Sequence, residues 1–187
     1  EKGGLHTAGE WRQLNINMQG RIVPQTLQLL PITSKIVLEL EDGNSMVHGG
    51  SKISVMEPGT VVLPHTGLTN ARVRIHLGIS IPSGAFIRVG NETRTWTEGR
   101  CTAIDDSFVH EVWHTGTERR ILLIVDIWHP EMDVLQREES ISDPGLLKTY
   151  QEMSKDPWSV LRRQGIPRDL IPSRFISDAG YLNNKGT

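Results

Sequence analysis

The 187-residue sequence predicts an all-β domain of the jelly-roll type with a short helical tail. Residues 35–128 break into short β-prone runs at regular spacing, divided by turn signals, with no helical stretch between them. One run, Arg72-Val73-Arg74-Ile75-His76-Leu77, alternates strictly between polar and apolar side chains, which is the period of a strand. Beyond residue 133 the pattern changes. Asp143-Pro144 and Asp156-Pro157 each read as an N-cap followed by proline at the first helical position.

Taken in order, residues 1–34 carry turn residues and no clear period. Residues 35–40 are the first β run, and Glu41-Asp42-Gly43-Asn44 is the turn that closes it. Runs at 52–56 and 60–63 are separated by Pro58-Gly59. A longer run at 71–81 ends in Pro82-Ser83-Gly84, the chain returns through 86–89, and Gly90-Asn91 is a tight turn signal. Runs at 93–96, 100–104, 108–113 and 120–128 complete the set. Two short helices are expected to follow, the second ending near Gly165, with residues 166–187 irregular. Residues 1–133 therefore form one expected domain, and 134–187 an extension packed on it or trailing from it.

Composition narrows the function classes. The formal net charge is −2, so no strongly basic face is available for nucleic acid. No apolar run approaches the roughly 20 residues of a membrane span, so no membrane contact is expected from this segment. The chain opens on Glu1 without a signal peptide, as a fragment of a longer protein would. Its single cysteine, Cys101, excludes an internal disulfide and a cysteine-rich zinc site. Asn91-Glu92-Thr93 is a glycosylation sequon.

Several groups point to chemistry. Arg72, Arg74 and His76 share one face of their strand. That face is either the wet side of a half-buried strand or a cradle for an anionic co-substrate, since His65 and His110 lie nearby in sequence. His110-Glu111-Val112-Trp113-His114 matches the HExxH zinc-protease motif, which works only on a helix. This segment is short, aromatic and β-branched, so it reads as a strand with Glu111 pointing away from the histidines. His65 sits in Pro64-His65-Thr66-Gly67, and Gly67 stands where a two-histidine, one-carboxylate iron triad has its aspartate.

The whole string is far more specific than its parts. It runs Pro58-Gly59-Thr60, Pro64-His65-Thr66-Gly67-Leu68-Thr69-Asn70, Arg72-Val73-Arg74-Ile75-His76-Leu77-Gly78, Asn91-Glu92-Thr93-Arg94-Thr95-Trp96 and Asp105-Asp106-Ser107-Phe108-Val109-His110, and ends through Arg120 in Trp128-His129-Pro130. From about Gly9 to about Glu131 the sequence closely resembles the aspartyl/asparaginyl β-hydroxylase family.

The resemblance implies a double-stranded β-helix, cupin-like, acting as an Fe(II)- and 2-oxoglutarate-dependent dioxygenase with O₂ as the second co-substrate. It implies His65 and His110 as the iron ligands, with no protein carboxylate. Arg120 would take the distal carboxylate of 2-oxoglutarate with Ser54 as helper, Arg74 and His76 would lie along it, and Trp11 would close the pocket. Lys52 and Arg72 would meet the substrate. The implied reaction is β-hydroxylation of Asp or Asn in an EGF-like domain, in the endoplasmic reticulum; a cytoplasmic address is the alternative.

Some features depart from the animal enzymes. No cysteine pair lies between Arg21 and Ser54, and an arginine of those enzymes aligns near His6. Their helical-repeat domain has no counterpart in these residues, and the sequence after about Asp133 has no recognised match. These departures bear on substrate rather than chemistry. The rival readings are the same chemistry on a lipid acyl chain or small molecule, a halogenase using the vacancy at Gly67, and a metal-free jelly-roll binding module.

Overall fold

Residues 6–155 are described by the computed structural model. Short strands β1 (His6–Ala8), β2 (Trp11–Met18) and β3 (Arg21–Ile22) open the chain, followed by helices α1 (Pro24–Leu29), α2 (Pro31–Leu38) and α3 (Glu41–Asn44). Then come β4 (Gly50–Met56), β5 (Val61–His65), β6 (Arg72–Ser80), β7 (Ala85–Val89), β8 (Glu92–Arg94), β9 (Cys101–Ile104), β10 (His110–His114) and β11 (Arg120–Trp128). Helices α4 (Val134–Glu139) and α5 (Pro144–Lys155) close the described part.

The strands form two sheets, ordered β1-β5-β10-β7-β8 and β3-β2-β4-β11-β6-β9. The eight strands β4–β11 wind between them as β4-β11-β6-β9 facing β5-β10-β7-β8, which is a double-stranded β-helix. Strand β11 is buried on both faces and so reads as a continuous apolar run. Its Leu122 and Ile124 face the other sheet and pack with Met56, Val62, Ile87, Trp96, Ile104 and Val112. Its Leu123 and Val125 face outward and pack under α1 and α2 with Ile16, Leu27, Val37 and Leu38. A third cluster joins the tail to the barrel: Ile141 and Tyr150 pack on Met46, Val47, Ala71 and Trp128.

Residues 35–40 are not a strand. Pro31 sits in the first turn of α2 and favours helix there, and Ser34, Val37 and Leu38 are buried at helical spacing. Burial of that face against Ile16, Leu123 and Val125 outweighs the β-branched composition. Glu41–Asn44 is a short helix, not an open turn. Within the first 34 residues, where the sequence shows no clear period, β2 forms and pairs with β4 across a long register. A register shift between Asn15 and Asn17 breaks the period of two, leaving Ile16 and Asn17 both buried and the alternation illegible. Helix α5 starts where its proline predicts, with the Asp143 carboxylate accepting the Leu146 N–H at 2.8 Å. The predicted helix after Pro157 and the irregular end lie outside the described residues.

Helix and strand make opposite predictions for Leu38 and Leu40, which would share a face only on a strand. Leu38 is 1% exposed and Leu40 is 44% exposed. Leu38→Ala is expected to cost about 2–5 kcal/mol in urea unfolding, and Leu40→Ala under about 0.5 kcal/mol. Equal losses would return this segment to a strand.

Candidate metal and co-substrate site

The two sheets contribute different chemistry to the space between them. In β6, Arg72 and His76 are buried and Arg74 nearly so, and this face looks inward. The reading of it as an ordinary wet face is therefore wrong. Register places Arg74 opposite Asp126 and His76 opposite Ile124 on β11, while Lys52 and Ser54 of β4 lie opposite Ile124 and Leu122 on the other side. Lys52, Ser54, Arg74, His76 and Ile124, with Trp11, Arg120, His65 and His110, line one cleft.

His65 and His110 are cross-strand partners on β5 and β10, with ring centroids 4.2 Å apart. Each ring is held the same way. Nδ1 of His65 lies 2.7 Å from the Leu63 carbonyl, and Nδ1 of His110 lies 3.0 Å from the Phe108 carbonyl. A carbonyl only accepts, so each Nδ1 donates and each Nε2 keeps its lone pair. Burial holds the His110 pKa below its ordinary value, which favours the neutral ligand form. Two imidazoles with fixed Nδ1–H groups and Nε2 left for a ligand fit a divalent iron site. Among the described residues no third His, Cys, Asp or Glu completes a cluster with them. His114 lies on the same strand but is taken up elsewhere: its Nε2 donates to the Glu118 carbonyl at 2.5 Å. Glu111 pairs with Arg88, away from the cleft.

The opposite wall is cationic. Arg120 is 2% exposed, and burial pushes its pKa down to about 10. It donates to the Ser54 hydroxyl at 2.8 Å, and that hydroxyl also accepts from Trp11 Nε1 at 3.0 Å. Its Nε finds no protein acceptor, and among the described residues no carboxylate pairs with it. Trp96 lies beside it, 5.1 Å from guanidinium carbon to ring centroid, and donates to His76 Nδ1 at 3.0 Å. Burial first, then Arg74 and Arg120, hold the His76 pKa well below its ordinary value. His76 is thus neutral with its proton on Nε2, a second buried donor without an acceptor among the described residues. Lys52 makes no ion pair among the described residues, and burial followed by the charge of Arg74 lowers its pKa to about 8.

A sequence profile of the family described as aspartyl/asparaginyl beta-hydroxylase matches residues 1–130. The chain belongs to this family. It is 44% identical to the aspartyl/asparaginyl beta-hydroxylase of Mus musculus over 138 residues, 73% of this chain and 19% of that protein. It is 40% identical to the aspartate beta-hydroxylase domain-containing protein 2 of Mus musculus over 136 residues, 70% of this chain and 39% of that protein. The chain thus spans well under half of these relatives. The cupin domain of Schizosaccharomyces pombe Cnp3 is similar at a TM-score of 0.41 and 11% identity, over 51% of this chain and 65% of that one.

Two carboxylates that the sequence reading passed over organise this family member's site. Asp106 is fully buried and holds Arg72 through paired contacts at 2.6 and 3.2 Å, and Arg74 at 3.0 Å. Asp126 holds Arg74 at 2.6 and 3.0 Å and accepts the Gly50 N–H at 3.1 Å. Burial alone would raise the Asp126 pKa, but hydrogen bonds and charge from Arg74 outweigh it and hold the carboxyl below its ordinary value. Arg72, assigned to substrate on resemblance, is largely engaged: it also donates to the His48 carbonyl at 2.5 Å. One signal for Asp126 was available. It is a lone acid in the apolar run of β11, in phase with Arg120 and opposite the basic strand.

Asp106 also explains Gly67. A Cβ at position 67 would sit 2.7 Å from the Asp106 carboxyl carbon, and Gly67 donates its N–H to the Asp106 carbonyl at 2.6 Å. Its φ is not positive, so the constraint is the neighbouring carboxylate rather than backbone freedom. Gly67→Asp would press one carboxylate into another. The expected result is weaker metal binding in calorimetry and a lower melting temperature, not a third ligand. Tighter iron binding in that variant would show that Asp106 moves aside.

Proposed function

We propose that this chain is the catalytic unit of an Fe(II)- and 2-oxoglutarate-dependent dioxygenase that hydroxylates the β-carbon of Asp or Asn in EGF-like domains. One arrangement carries the reading: two Nδ1-anchored imidazoles on one sheet face a buried guanidinium on the other sheet that has no carboxylate partner among the described residues. His65 and His110 would hold the iron. When bound, the iron would couple reduction of O₂ and decarboxylation of 2-oxoglutarate to insertion of one oxygen into a C–H bond, leaving succinate and CO₂.

The chain's own residues supply binding and exclusion. Arg120 offers a planar fork to the distal carboxylate of 2-oxoglutarate, and Ser54 fixes its angle. The neutral Nε2–H of His76 donates to a second oxygen of the same molecule. Trp11, tied to Ser54, closes the cleft against water. Asp106 and Asp126 hold Arg72 and Arg74 in place. Lys52, free of ion pairs in the described residues, is the group that meets the substrate's carboxylate, while Arg72 acts through Asp106. The endoplasmic-reticulum address belongs to the same reading and rests on family resemblance.

The test measures Mn(II) binding and succinate release together. His65→Ala or His110→Ala should abolish both, since one imidazole leaves too little to hold the metal. Arg120→Lys should keep the metal and weaken 2-oxoglutarate about 10- to 150-fold, the loss of one charged hydrogen bond. Wild-type turnover in either histidine variant would end the assignment.

Lys52 gives a pH signature. With its pKa near 8, it is charged below that pH and neutral above it. Binding of an EGF-like peptide bearing the target Asp should therefore weaken as pH rises through about 8, and binding of the Asn counterpart should not. Lys52→Arg should flatten the difference. Parallel profiles for the two peptides would remove Lys52 from the substrate site.

A further inference from the structure

The space between the sheets has a second compartment. At the open edge, where β8 ends one sheet and β9 ends the other, a cleft of about 670 Å³ lies outside the co-substrate cavity. Register puts Glu92 and Arg94 opposite Val89 and Ile87, so they share the inner face of their sheet, and it puts Thr102 and Ile104 on the inner face of the other. Ile87 and Ile104 line both compartments. They come one from each sheet, are 4% and 6% exposed, and belong to the same apolar cluster. The wall between the outer cleft and the co-substrate cavity is therefore a pair of aliphatic side chains.

That wall is close to the imidazoles. Val89 lines the outer cleft and is the direct cross-strand partner of His110, and Ile87 is the partner of Val112 two residues on. A charged or peptidic reactant would have to leave its water to pass two isoleucines, at several kcal/mol per unpaired polar group. A small apolar molecule meets no such barrier and needs only side-chain fluctuations, which are fast on the timescale of turnover.

We propose that dioxygen reaches the His65–His110 site through the β8–β9 cleft and between Ile87 and Ile104, by a route that 2-oxoglutarate and substrate do not share. The inference rests on the oxygenase reading, because O₂ is the one reactant of that chemistry that is both small and apolar.

Xenon is a suitable probe, since it settles against apolar side chains and the outer cleft narrows onto Ile87, Val89 and Ile104 past its polar rim of Glu92, Arg94 and Asp105. Crystals of the wild-type protein under xenon should bind the gas between Ile87 and Ile104. Val89→Phe, at a position that lines the outer cleft and not the co-substrate cavity, should displace it and raise the KM for O₂ severalfold while the KM for 2-oxoglutarate stays at the wild-type value. Ile104→Ala serves if the filled variant does not fold, and it should lower the KM for O₂. No xenon at the wall, or bound xenon with an unchanged O₂ dependence in these variants, would overturn the route. Anaerobic calorimetry of 2-oxoglutarate on the Mn(II)-loaded wild type separates the two failures. Absence of binding there would remove the oxygenase reading, and the route with it.

Discussion

Burial of cations on the inner face of one sheet is the constraint around which the site is arranged. Lys52, Arg72, Arg74 and Arg120 all project from β4, β6 and β11 into the inter-sheet space. Desolvating guanidinium groups is costly unless carboxylates meet them in good geometry. Asp106 and Asp126 do so for Arg72 and Arg74, through several contacts each. Other features follow from those two acids. The chain near position 67 has room only for glycine because Asp106 fills the space, and a Cβ at Gly49 would meet Asp126 at 2.6 Å.

The sheets divide the labour. β5 and β10 carry the imidazoles, held by their own backbone carbonyls, while β4, β6 and β11 carry the anion-binding groups. Packed sheets lie about 10 Å apart, and on the proposed reading a short dicarboxylate would bridge that gap from the imidazole side to the guanidinium side. The spacing needs no special loop and comes with the jelly roll. The helices contribute from outside, since α1 and α2 cover the far face of β11 and so fix the strand that bears Arg120 and Asp126.

Much of this was legible in the sequence. The runs that became β4 to β11 were visible because each is short, bounded by Gly or Pro turns and rich in β-branched residues. His65, His110, Arg120, Ser54, Trp11, Lys52, Arg74 and His76 could be named from motif order, and they line a single cleft. What stayed hidden depended on tertiary context. The bulge at Asn15 to Asn17 erased the alternation of β2, and the pattern 34, 37, 38 in α2 lay under β-prone residues. The inward turn of the Arg72 face required knowing that Asp106 and Asp126 were there to receive it. Trp96, which links Arg120 to His76, was visible only as one letter in a longer string.

Arg120 Nε and His76 Nε2 are buried donors for which the described residues provide no acceptor. Unsatisfied groups of this kind cost roughly 1–3 kcal/mol each, more when charged. The consequence is thermodynamic linkage. A ligand supplying the missing acceptors completes the protein's own hydrogen bonding, and part of its affinity is strain relieved in the folded chain. Occupancy and fold stability are then coupled quantities.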